Sequence, residues 1–337
     1  MTSAVLWIQL AGTAILILIA SKYLASSADR ISEGTGLGRS FIGVILLATA
    51  TSLPELGTGL SSILLVEEPD LAAGDAFGSN LFNLLIIGLV DLGWRNGPVL
   101  NSVGRTPLIV AGLGAVIISV ASLTMIIHHG LLGLGDRDAS IDIWNVSPMS
   151  FLLVLIFIVS MYIIYLKDRN DADGLENEDD RRRYEHINLS RAFMVYGAAA
   201  LTMVISAIFL AIIGEELARA MGWEMSFMGT QFLALSTSLP EMATAVAAIR
   251  LGSPELAISN VLGSNIFNMG FVLFLDDVAY KNGAIWGVVS EIHIITGLMA
   301  VLMTFVVISG MLMTSRGRLM RVWTLDGFSL TLIYIIT

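Results

Sequence analysis

The sequence predicts an all-α membrane protein with ten transmembrane helices, arranged as two inverted five-helix repeats. Three observations predict this fold: an apolar composition, a one-sided distribution of basic residues and an internal sequence repeat. Of the 337 residues, 55% are hydrophobic and 14% are charged, whereas soluble domains carry about 25% charged residues. A transmembrane helix needs ~20 mostly apolar residues. Ten stretches approach that length: 4–21, 38–63, 71–92, 106–127, 148–166, 192–213, 226–249, 255–275, 284–310 and 321–337.

The Lys and Arg residues predict the orientation, because loops rich in them face the cytoplasm. With ten spans, 15 of the 18 basic residues fall in odd-numbered loops, and the even-numbered loops hold Arg137, Arg219 and Lys281. We therefore expect a multi-pass protein of the cell membrane with both termini outside. The first stretch could instead be a signal peptide, but the pairing of the two halves described below needs it as a span.

The longest polar segment, residues 167–190, divides the chain. It contains DRNDADGLENEDDRRR, which is nearly free of large apolar side chains and is typical of a solvated linker. The segment could be a regulatory cation sensor, but it lacks the ligand spacing of an EF-hand loop. We expect an N-terminal five-helix half at 1–166, a cytoplasmic linker at 167–190 and a C-terminal five-helix half at 191–337.

Each half contains one copy of the same two motifs. Residues 48–55 and 234–241 share the pattern A-x-x-T-S-L-P-E, and residues 78–83 and 263–268 share G-S-N-[LI]-F-N. Chance similarity between two apolar helices does not match polar residues at this density, so we infer a duplication. Because five spans is an odd number, the second copy must enter the membrane inverted. Inverted repeats with a binding site near the bilayer midplane are common in secondary transporters.

The first motif predicts an interrupted helix with one polar face. Its alanine, threonine, serine and glutamate are spaced i, i+3, i+4 and i+7, so they share a face. Pro54 and Pro240 precede the glutamates and cannot donate a backbone hydrogen bond, which frees carbonyl groups one turn earlier. On the partner helices, two sets of polar residues repeat at every fourth position: Asp75, Ser79 and Asn83, and Asn260, Ser264 and Asn268.

These residue types suit a hard cation. An ionised glutamate at the middle of the membrane costs ~2.5 kcal/mol or more, and the motifs contain no Lys, Arg or His that could neutralise Glu55 or Glu241. Carboxylates, carbonyls, hydroxyls and amides bind cations such as Ca²⁺, whereas zinc and copper favour imidazole or thiolate ligands. The alternative is that both glutamates are protonated and only join helices. His128 and His129 lie at a span end, where we expect solvated side chains rather than a surface metal site.

With these motifs the chain resembles the sodium/calcium exchangers of the cation/calcium exchanger superfamily, in their compact prokaryotic form. The resemblance covers both motif regions and the ten-span layout, hence nearly the whole chain. It implies antiport of Ca²⁺ against Na⁺ by alternating access, with these ions and the lipid bilayer as partners. It also implies that spans 1 and 6 are long sliding helices that switch access between the two sides.

The resemblance also implies the ligands. Glu55 and Glu241 would be the central calcium carboxylates, and the carbonyls of Thr51 and Thr237 would complete the calcium site. The remaining implied ligands are oxygen donors of the motifs, with sodium sites at the serines and alanine carbonyls: Ser52, Ser238, Ser79, Ser264, Asn83, Asn268, Ala48 and Ala234. Two further positions are possible accessory ligands: Asp75 and Asn260.

One departure from the family pattern affects the charge of the site. Many members carry an aspartate at the end of one of the two G-S-N-x-F-[ND] motifs, whereas both positions here are amides, Asn83 and Asn268. Two carboxylates balance one Ca²⁺ or two monovalent ions, but not three. Asp75 could supply a third negative charge if it faces the site. Without that charge we expect nearly electroneutral exchange, with two Na⁺ or two H⁺ per Ca²⁺.

Three other functions remain to be compared with sodium/calcium antiport. Ca²⁺/H⁺ antiport would use the same two glutamates, since burial favours the protonated form of a carboxylate, although the hydroxyl-rich motif faces favour sodium. A passive channel needs a continuous open pore rather than an enclosed central site. An enzyme needs a nucleophile–base pair or a catalytic metal site, and no His or Lys lies near the Ser, Thr and Glu clusters, so we expect neither an enzyme nor a cofactor.

The net charge and the composition limit the kinds of partner that the protein could bind. The net charge of −10 argues against nucleic-acid binding, which needs a basic patch. A monomer would suffice for transport, and the sequence leaves the oligomeric state open.

Overall fold

The computed structural model describes residues 3–35, 49–94, 97–131, 145–172, 189–250, 252–313, 318–319 and 323–337. In these ranges, seven helices are long and apolar enough to cross a membrane, or eight if one bent pair counts as a single span. The prediction of an all-α membrane protein is therefore confirmed. The predicted span 38–63 is described from residue 49 onwards, and the predicted span 321–337 is a helix of 12 residues. The count of ten spans stays a prediction.

The helices are numbered here in chain order. Their bounds are α1 Ser3–Thr35, α2 Leu53–Leu64, α3 Pro69–Gly93, α4 Arg105–His128, α5 Pro148–Ala172, α6 Leu189–Met221, α7 Met225–Thr237, α8 Leu239–Arg250, α9 Pro254–Ala279, α10 Ile292–Leu312 and α11 Leu325–Ile336. Two of them contain π-helical turns, α7 at Met228–Leu233 and α9 at Asn268–Val272. The connections contain 3₁₀ turns at Val99–Ser102 and Ile285–Gly287, and an antiparallel pair of short strands, Arg318–Leu319 and Trp323–Thr324.

Helices α3 and α9 form the centre of the molecule. In each of them, 83% of the most apolar 18-residue window is buried, compared with 22% in α5. Helix α4 packs on both α9 and α10, and α10 and α11 pack on α3. Because α3 and α9 carry the two G-S-N-[LI]-F-N motifs, the polar residues of both motifs lie in the best-shielded part of the described structure.

Helices α1 and α6 are the longest, with 33 residues each. At 1.5 Å per residue each is ~50 Å long, which exceeds a hydrocarbon core of ~30 Å and requires a tilted or protruding helix. The two pack against each other along their length, and α6 also packs on α2. A Cβ atom at Gly57 of α2 would lie 2.8 Å from the Cβ of Ala207, so α2 and α6 are in close contact. The outer faces carry exposed apolar side chains such as Ile8 and Met194, as expected next to lipid.

Helices α3 and α7 approach each other at glycines. A Cβ atom at Gly74 would lie 2.9 Å from the carbonyl oxygen of Ser226 in α7, and one at Gly78 would lie 2.7 Å from the Cα of Thr230. Real side chains do not tolerate such distances, so these positions need glycine for the two backbones to meet. Small residues at helix crossings are the usual solution inside a membrane, where close backbone packing holds helices together.

The histidines at the end of α4 differ from the expected solvated side chains. His128 and His129 are half-buried, and the Nδ1 atom of each contacts a carbonyl oxygen one turn earlier, at 2.9 Å and 3.0 Å. The Nε2 atom of His128 lies 3.3 Å from the hydroxyl of Ser147, and that of His129 lies 3.0 Å from the carbonyl of Val289. These contacts fasten α4 to the segments before α5 and α10.

Candidate cation site

Both T-S-L-P-E motifs interrupt a helix, as the sequence predicts. In the first copy, residues 49–51 are helical, Ser52 leaves the helical conformation (φ −92°, ψ 9°), and α2 begins at Leu53 with Pro54 in its first turn. In the second copy, Ser238 (φ −86°, ψ 5°) separates α7 from α8, and the helix axis bends by 41°. The bends place a non-helical serine and the following glutamate of each copy in the interior, because proline cannot complete the helical hydrogen-bond ladder.

The two copies meet through reciprocal serine–glutamate hydrogen bonds. The hydroxyl of Ser52 donates to Oε1 of Glu241 at 3.3 Å, and the hydroxyl of Ser238 donates to Oε1 of Glu55 at 3.3 Å. Both glutamate side chains are fully buried, and their carboxylates lie within electrostatic range of each other. The structure therefore brings together the two acidic residues that the sequence analysis selected.

Hydroxyl groups of the partner helices complete this cluster. Ser264 of α9 donates to Oε1 of Glu241 at 3.2 Å, and its oxygen lies 3.5 Å from Oγ1 of Thr51. With the two copies exchanged, the hydroxyls of Ser79 and Thr237 are 3.3 Å apart. All of these side chains are buried. Hydroxyls from opposite halves of the chain therefore meet next to the two carboxylates.

Five buried oxygen atoms in and next to this cluster lack a donor. They are Oε2 of Glu55, Oε2 of Glu241, Oδ2 of Asp75, Oδ1 of Asn83 and Oδ1 of Asn268, and none has a hydrogen-bond partner within the described ranges. A buried acceptor without a partner is costly, and a buried charge without one is more so. Carboxylate and amide oxygens are the ligands that hard cations prefer. The donor set therefore suits such a cation better than it suits an empty apolar core.

Two asparagines that the sequence analysis did not select brace the centre. The side-chain amide nitrogen of Asn80 donates to the backbone carbonyl of Asn265, and that of Asn265 donates to the carbonyl of Asn80, both at 3.4 Å. The side-chain oxygen of Asn265 accepts a hydrogen bond from the side-chain amide of Asn83 at 3.0 Å. The side-chain oxygen of Asn80 accepts one from the side-chain amide of Asn268 at 3.5 Å. The signal was present, since both are the third residue of the G-S-N motifs. These contacts hold α3 against α9 and orient the amides of Asn83 and Asn268.

The two accessory positions behave differently. Asp75 is buried, and its Oδ1 atom accepts a hydrogen bond from the hydroxyl of Thr237 at 2.9 Å. Asn260, its counterpart in the repeat, instead donates to the hydroxyl of Thr244 at 3.0 Å, within its own half. Asp75 therefore touches the cluster directly, whereas the hydrogen bond of Asn260 lies one step away from it.

The backbone carbonyls of Ala48 and Ala234 are also expected ligands. The carbonyl oxygen of Ala234 accepts hydrogen bonds from the backbone N–H of Ser238 at 3.0 Å and from the hydroxyl of Thr237 at 3.3 Å. It would have to share that oxygen with a bound ion. Ala48 lies outside the described residues.

The carboxylates of the cluster have no cationic partner in the part of the chain that the structure describes. No ion pair in the described part of the chain involves Glu55 or Glu241, and no group of three or more His, Cys, Asp and Glu side chains forms a metal site there. The hydroxyls contact carboxylates and other hydroxyls rather than a histidine or lysine base. The arrangement is therefore suited to binding a hard cation.

Comparison with known proteins decides the family. Residues 5–170 and 191–337 match the family model described as sodium/calcium exchanger protein. The chain belongs to the sodium/calcium exchanger family. "Inner membrane protein YrbG" of Escherichia coli is 31% identical over 265 residues, which are 77% of this chain and 76% of that protein. "Sodium/calcium exchanger MaX1" of Methanosarcina acetivorans is 23% identical over 277 residues, covering 77% and 79%.

A solved structure shows the same fold. The sodium/calcium exchanger from Methanococcus jannaschii aligns over 98% of this chain and 97% of its own, with a TM-score of 0.62 and 18% identity. These findings confirm the family that the motifs indicated. The exchanger is thus a multi-pass membrane transporter of cations that works by antiport, and not an enzyme.

Proposed function

We propose that this exchanger moves Ca²⁺ across the cell membrane in exchange for Na⁺, at one central site shared by Glu55 and Glu241. The observation that carries the proposal is the buried pair of carboxylates, each bonded through one oxygen to the serine of the opposite copy and each with its second oxygen unpartnered. The hydroxyls and amides described above are the proposed remaining ligands. The names of the family and of MaX1 support calcium and sodium as the ions.

The geometry supports antiport because the two ions compete for the same charges. Two carboxylates balance one Ca²⁺ or two Na⁺, so binding of one kind removes the charge that the other kind needs. The carboxylates repel each other when both are ionised and no cation is present, which disfavours movement of the empty site through a low-dielectric region. Exchange is then coupled, since the loaded site switches its access between the two faces more easily than the empty one.

The proposed architecture places this site between two inverted halves of five spans, with both termini outside and the 167–190 linker in the cytoplasm. Each half contributes one broken helix, so a relative movement of the halves opens the site to one face and closes it to the other. We propose α1 and α6 as the sliding helices. Their length, their mutual packing and the tight contact of α6 with α2 at Gly57 support this role.

Protons are the second candidate for the counter-ion. The unpartnered Oε2 atoms of Glu55 and Glu241, with no cationic side chain bonded to either within the described ranges, can accept protons in place of metal ions. The hydroxyls of Ser52, Ser238 and Ser264 favour sodium, because a protonated carboxyl needs fewer oxygen neighbours than a sodium ion does. Ca²⁺/H⁺ antiport therefore stays the alternative, using the same two glutamates.

The test is uptake of ⁴⁵Ca²⁺ into proteoliposomes under separately imposed gradients. An outward Na⁺ gradient at equal pH on both sides is expected to drive uptake, and an outward H⁺ gradient in choline medium is expected to drive little. Uptake driven by the pH gradient alone would identify protons as the counter-ion. Flux that does not saturate and needs no counter-gradient would indicate a channel and contradict antiport.

A further inference from the structure

One buried carboxylate without a partner in the described structure lies outside the central site. Asp276, in the last turns of α9, is fully buried, and neither of its side-chain oxygens has a hydrogen-bond partner within the described ranges. Burying a carboxylate without a donor or counter-charge is unfavourable unless something compensates it. The proposed central site does not use this residue.

The fold does not need Asp276, because its neighbour Asp277 performs the structural role. Asp277 accepts the backbone N–H of Ile285, eight residues later, at 2.7 Å. Asp91 in the first copy likewise accepts the backbone N–H eight residues after it, at 2.8 Å. Asp277 is therefore the structural counterpart of Asp91, with the π-helical turn of α9 accounting for the extra residue between motif and aspartate. The counterpart of Asp276 is then Val90, an apolar residue.

The carboxylate of Asp276 points at α2. A Cβ atom at Gly59 would lie 2.7 Å from both of its oxygens, so the carboxylate packs directly against this glycine. Thr58 and Ser62 flank that glycine one helical turn apart, both fully buried, and neither hydroxyl has a hydrogen-bond partner within the described ranges. This is unusual, since buried hydroxyls of helical residues normally donate to a carbonyl or another side chain. Four oxygens, two on Asp276 and one each on Thr58 and Ser62 of the helix that it faces, thus lack partners in the described structure.

The equivalent positions of the repeat, all within the described ranges, do not form such a group. In the repeat, Ser62 corresponds to Ala248 and Asp276 to Val90, while Thr58 corresponds to Thr244, whose hydroxyl is fully engaged with Asn260 and with the carbonyl of Pro240. The donors therefore occur on one side of the central site, towards the loop at residues 65–68. That loop faces outside in the proposed topology.

We propose that Asp276, with the hydroxyls of Thr58 and Ser62, binds one monovalent hard cation such as Na⁺ on the route between the central site and the 65–68 face. One carboxylate balances one positive charge, and hydroxyl and carboxylate oxygens are suitable ligands for it. Asp75 interacts electrostatically with Asp276 and bonds to Thr237 of the cluster, which links this position to the centre. The assignment of this site as a station on the transport route rests on the proposed function.

Binding at Asp276 can be tested without transport. The probe is Na⁺-minus-choline difference infrared spectroscopy of purified protein carrying Glu55→Gln and Glu241→Gln, which removes both central carboxylates. We expect Na⁺ to change a carboxylate stretching band, and we expect Asp276→Asn to abolish that change. Ser62→Ala installs the residue found at the equivalent position of the other half, and it should raise the Na⁺ concentration needed for the change several-fold.

Two results would overturn the proposal. One is a spectrum in which Na⁺ alters no band that Asp276→Asn removes, as for a carboxyl that stays protonated. The other is a band that responds to Ca²⁺ but not to Na⁺. Because both central glutamates are already replaced in this protein, neither result bears on the proposed exchange at Glu55 and Glu241. Conversely, if that exchange fails its own test, the infrared spectrum still shows whether Asp276 binds Na⁺.

The one-sided position gives a second test. In oriented proteoliposomes, Asp276→Asn should raise the half-saturating Na⁺ concentration several-fold at the 65–68 face and leave the opposite face unchanged. An equal effect at both faces, or none at either, would contradict an entry site on one side.

Discussion

Replacing Asn268 by aspartate should turn a voltage-insensitive exchanger into a voltage-dependent one. The central site has two carboxylates, Glu55 and Glu241, and amides at Asn83 and Asn268. Asp75 bonds to the cluster through Thr237. When the Asp75 carboxyl is protonated, the site has charge −2 and is neutralised by one Ca²⁺ or by two Na⁺, so neither half of the cycle moves net charge. With Asn268→Asp the charge becomes −3, three Na⁺ are needed for neutrality, and one net charge crosses the membrane per cycle.

The magnitude follows from that one charge. Moving an elementary charge through 100 mV is worth ~2.3 kcal/mol, and at ~1.4 kcal/mol per factor of ten this is roughly a 50-fold change in the equilibrium Ca²⁺ ratio. The substitution is structurally mild at this position. The amide nitrogen of Asn268 makes one long contact, 3.5 Å to Asn80, whereas that of Asn83 makes a shorter one at 3.0 Å to Asn265.

The assay is the steady-state distribution of ⁴⁵Ca²⁺ in proteoliposomes at a fixed Na⁺ gradient, with the potential clamped by potassium and valinomycin. The parent should show the same ratio at 0 and −100 mV, and the Asn268→Asp variant should not. A parent that already shifts by the amount expected for one charge would refute the charge count. Asp75→Asn is the control in that case, because Asp75 is the one other carboxylate bonded to the cluster in the described structure, and its removal would then abolish the shift.

Three further outcomes follow from the packing. Asp277→Asn and the matched Asp91→Asn should each lower the free energy of unfolding by about 1–3 kcal/mol, because each substitution removes charge-assisted hydrogen bonds from backbone N–H groups. Thermal unfolding in detergent measures this change, and unchanged stability would contradict the anchoring role of the two aspartates. Gly78→Ala should lower the free energy of unfolding by about 1–3 kcal/mol or more, since the new methyl group overlaps the backbone of Thr230. An unchanged free energy of unfolding would mean that α3 and α7 are farther apart than described. Arg219→Ala should change stability by less than about 1 kcal/mol, because its ion pairs are largely solvent-exposed, and a larger loss would show that the α6 end matters more than its exposure indicates.

The central contacts were predictable because the repeat selects them. Two copies of T-S-L-P-E identified both glutamates and both helix breaks, since proline and a polar helix face have the same consequence in each half. The reciprocal bonds of Ser52 and Ser238 follow from that symmetry. The cross-bracing by Asn80 and Asn265 was missed although the motif contains both, because spacing alone does not reveal which side chain reaches across to the other helix.

Other features could not be predicted from the repeat, because they differ between its two copies. The π-helical turn in α9 adds one residue, so sequence alignment at the motif pairs Asp91 with Asp276, whereas the hydrogen bonds pair it with Asp277. Hydropathy also overestimated the solvation of the α4 end, where His128 and His129 bind neighbouring segments. Periodicity reports which face of a helix is polar but not which partner that face meets.

The sharpest test of the central claim is Ca²⁺ uptake by the two isosteric variants, Glu55→Gln and Glu241→Gln, in sodium-loaded vesicles. Glu68→Gln serves as the matched control, since that glutamate is a partly exposed loop residue paired with Arg219. We predict that either central variant abolishes ⁴⁵Ca²⁺ uptake while its thermal unfolding stays cooperative, and that the control retains parental uptake. Parental uptake in either central variant would contradict a single cation site shared by the two halves.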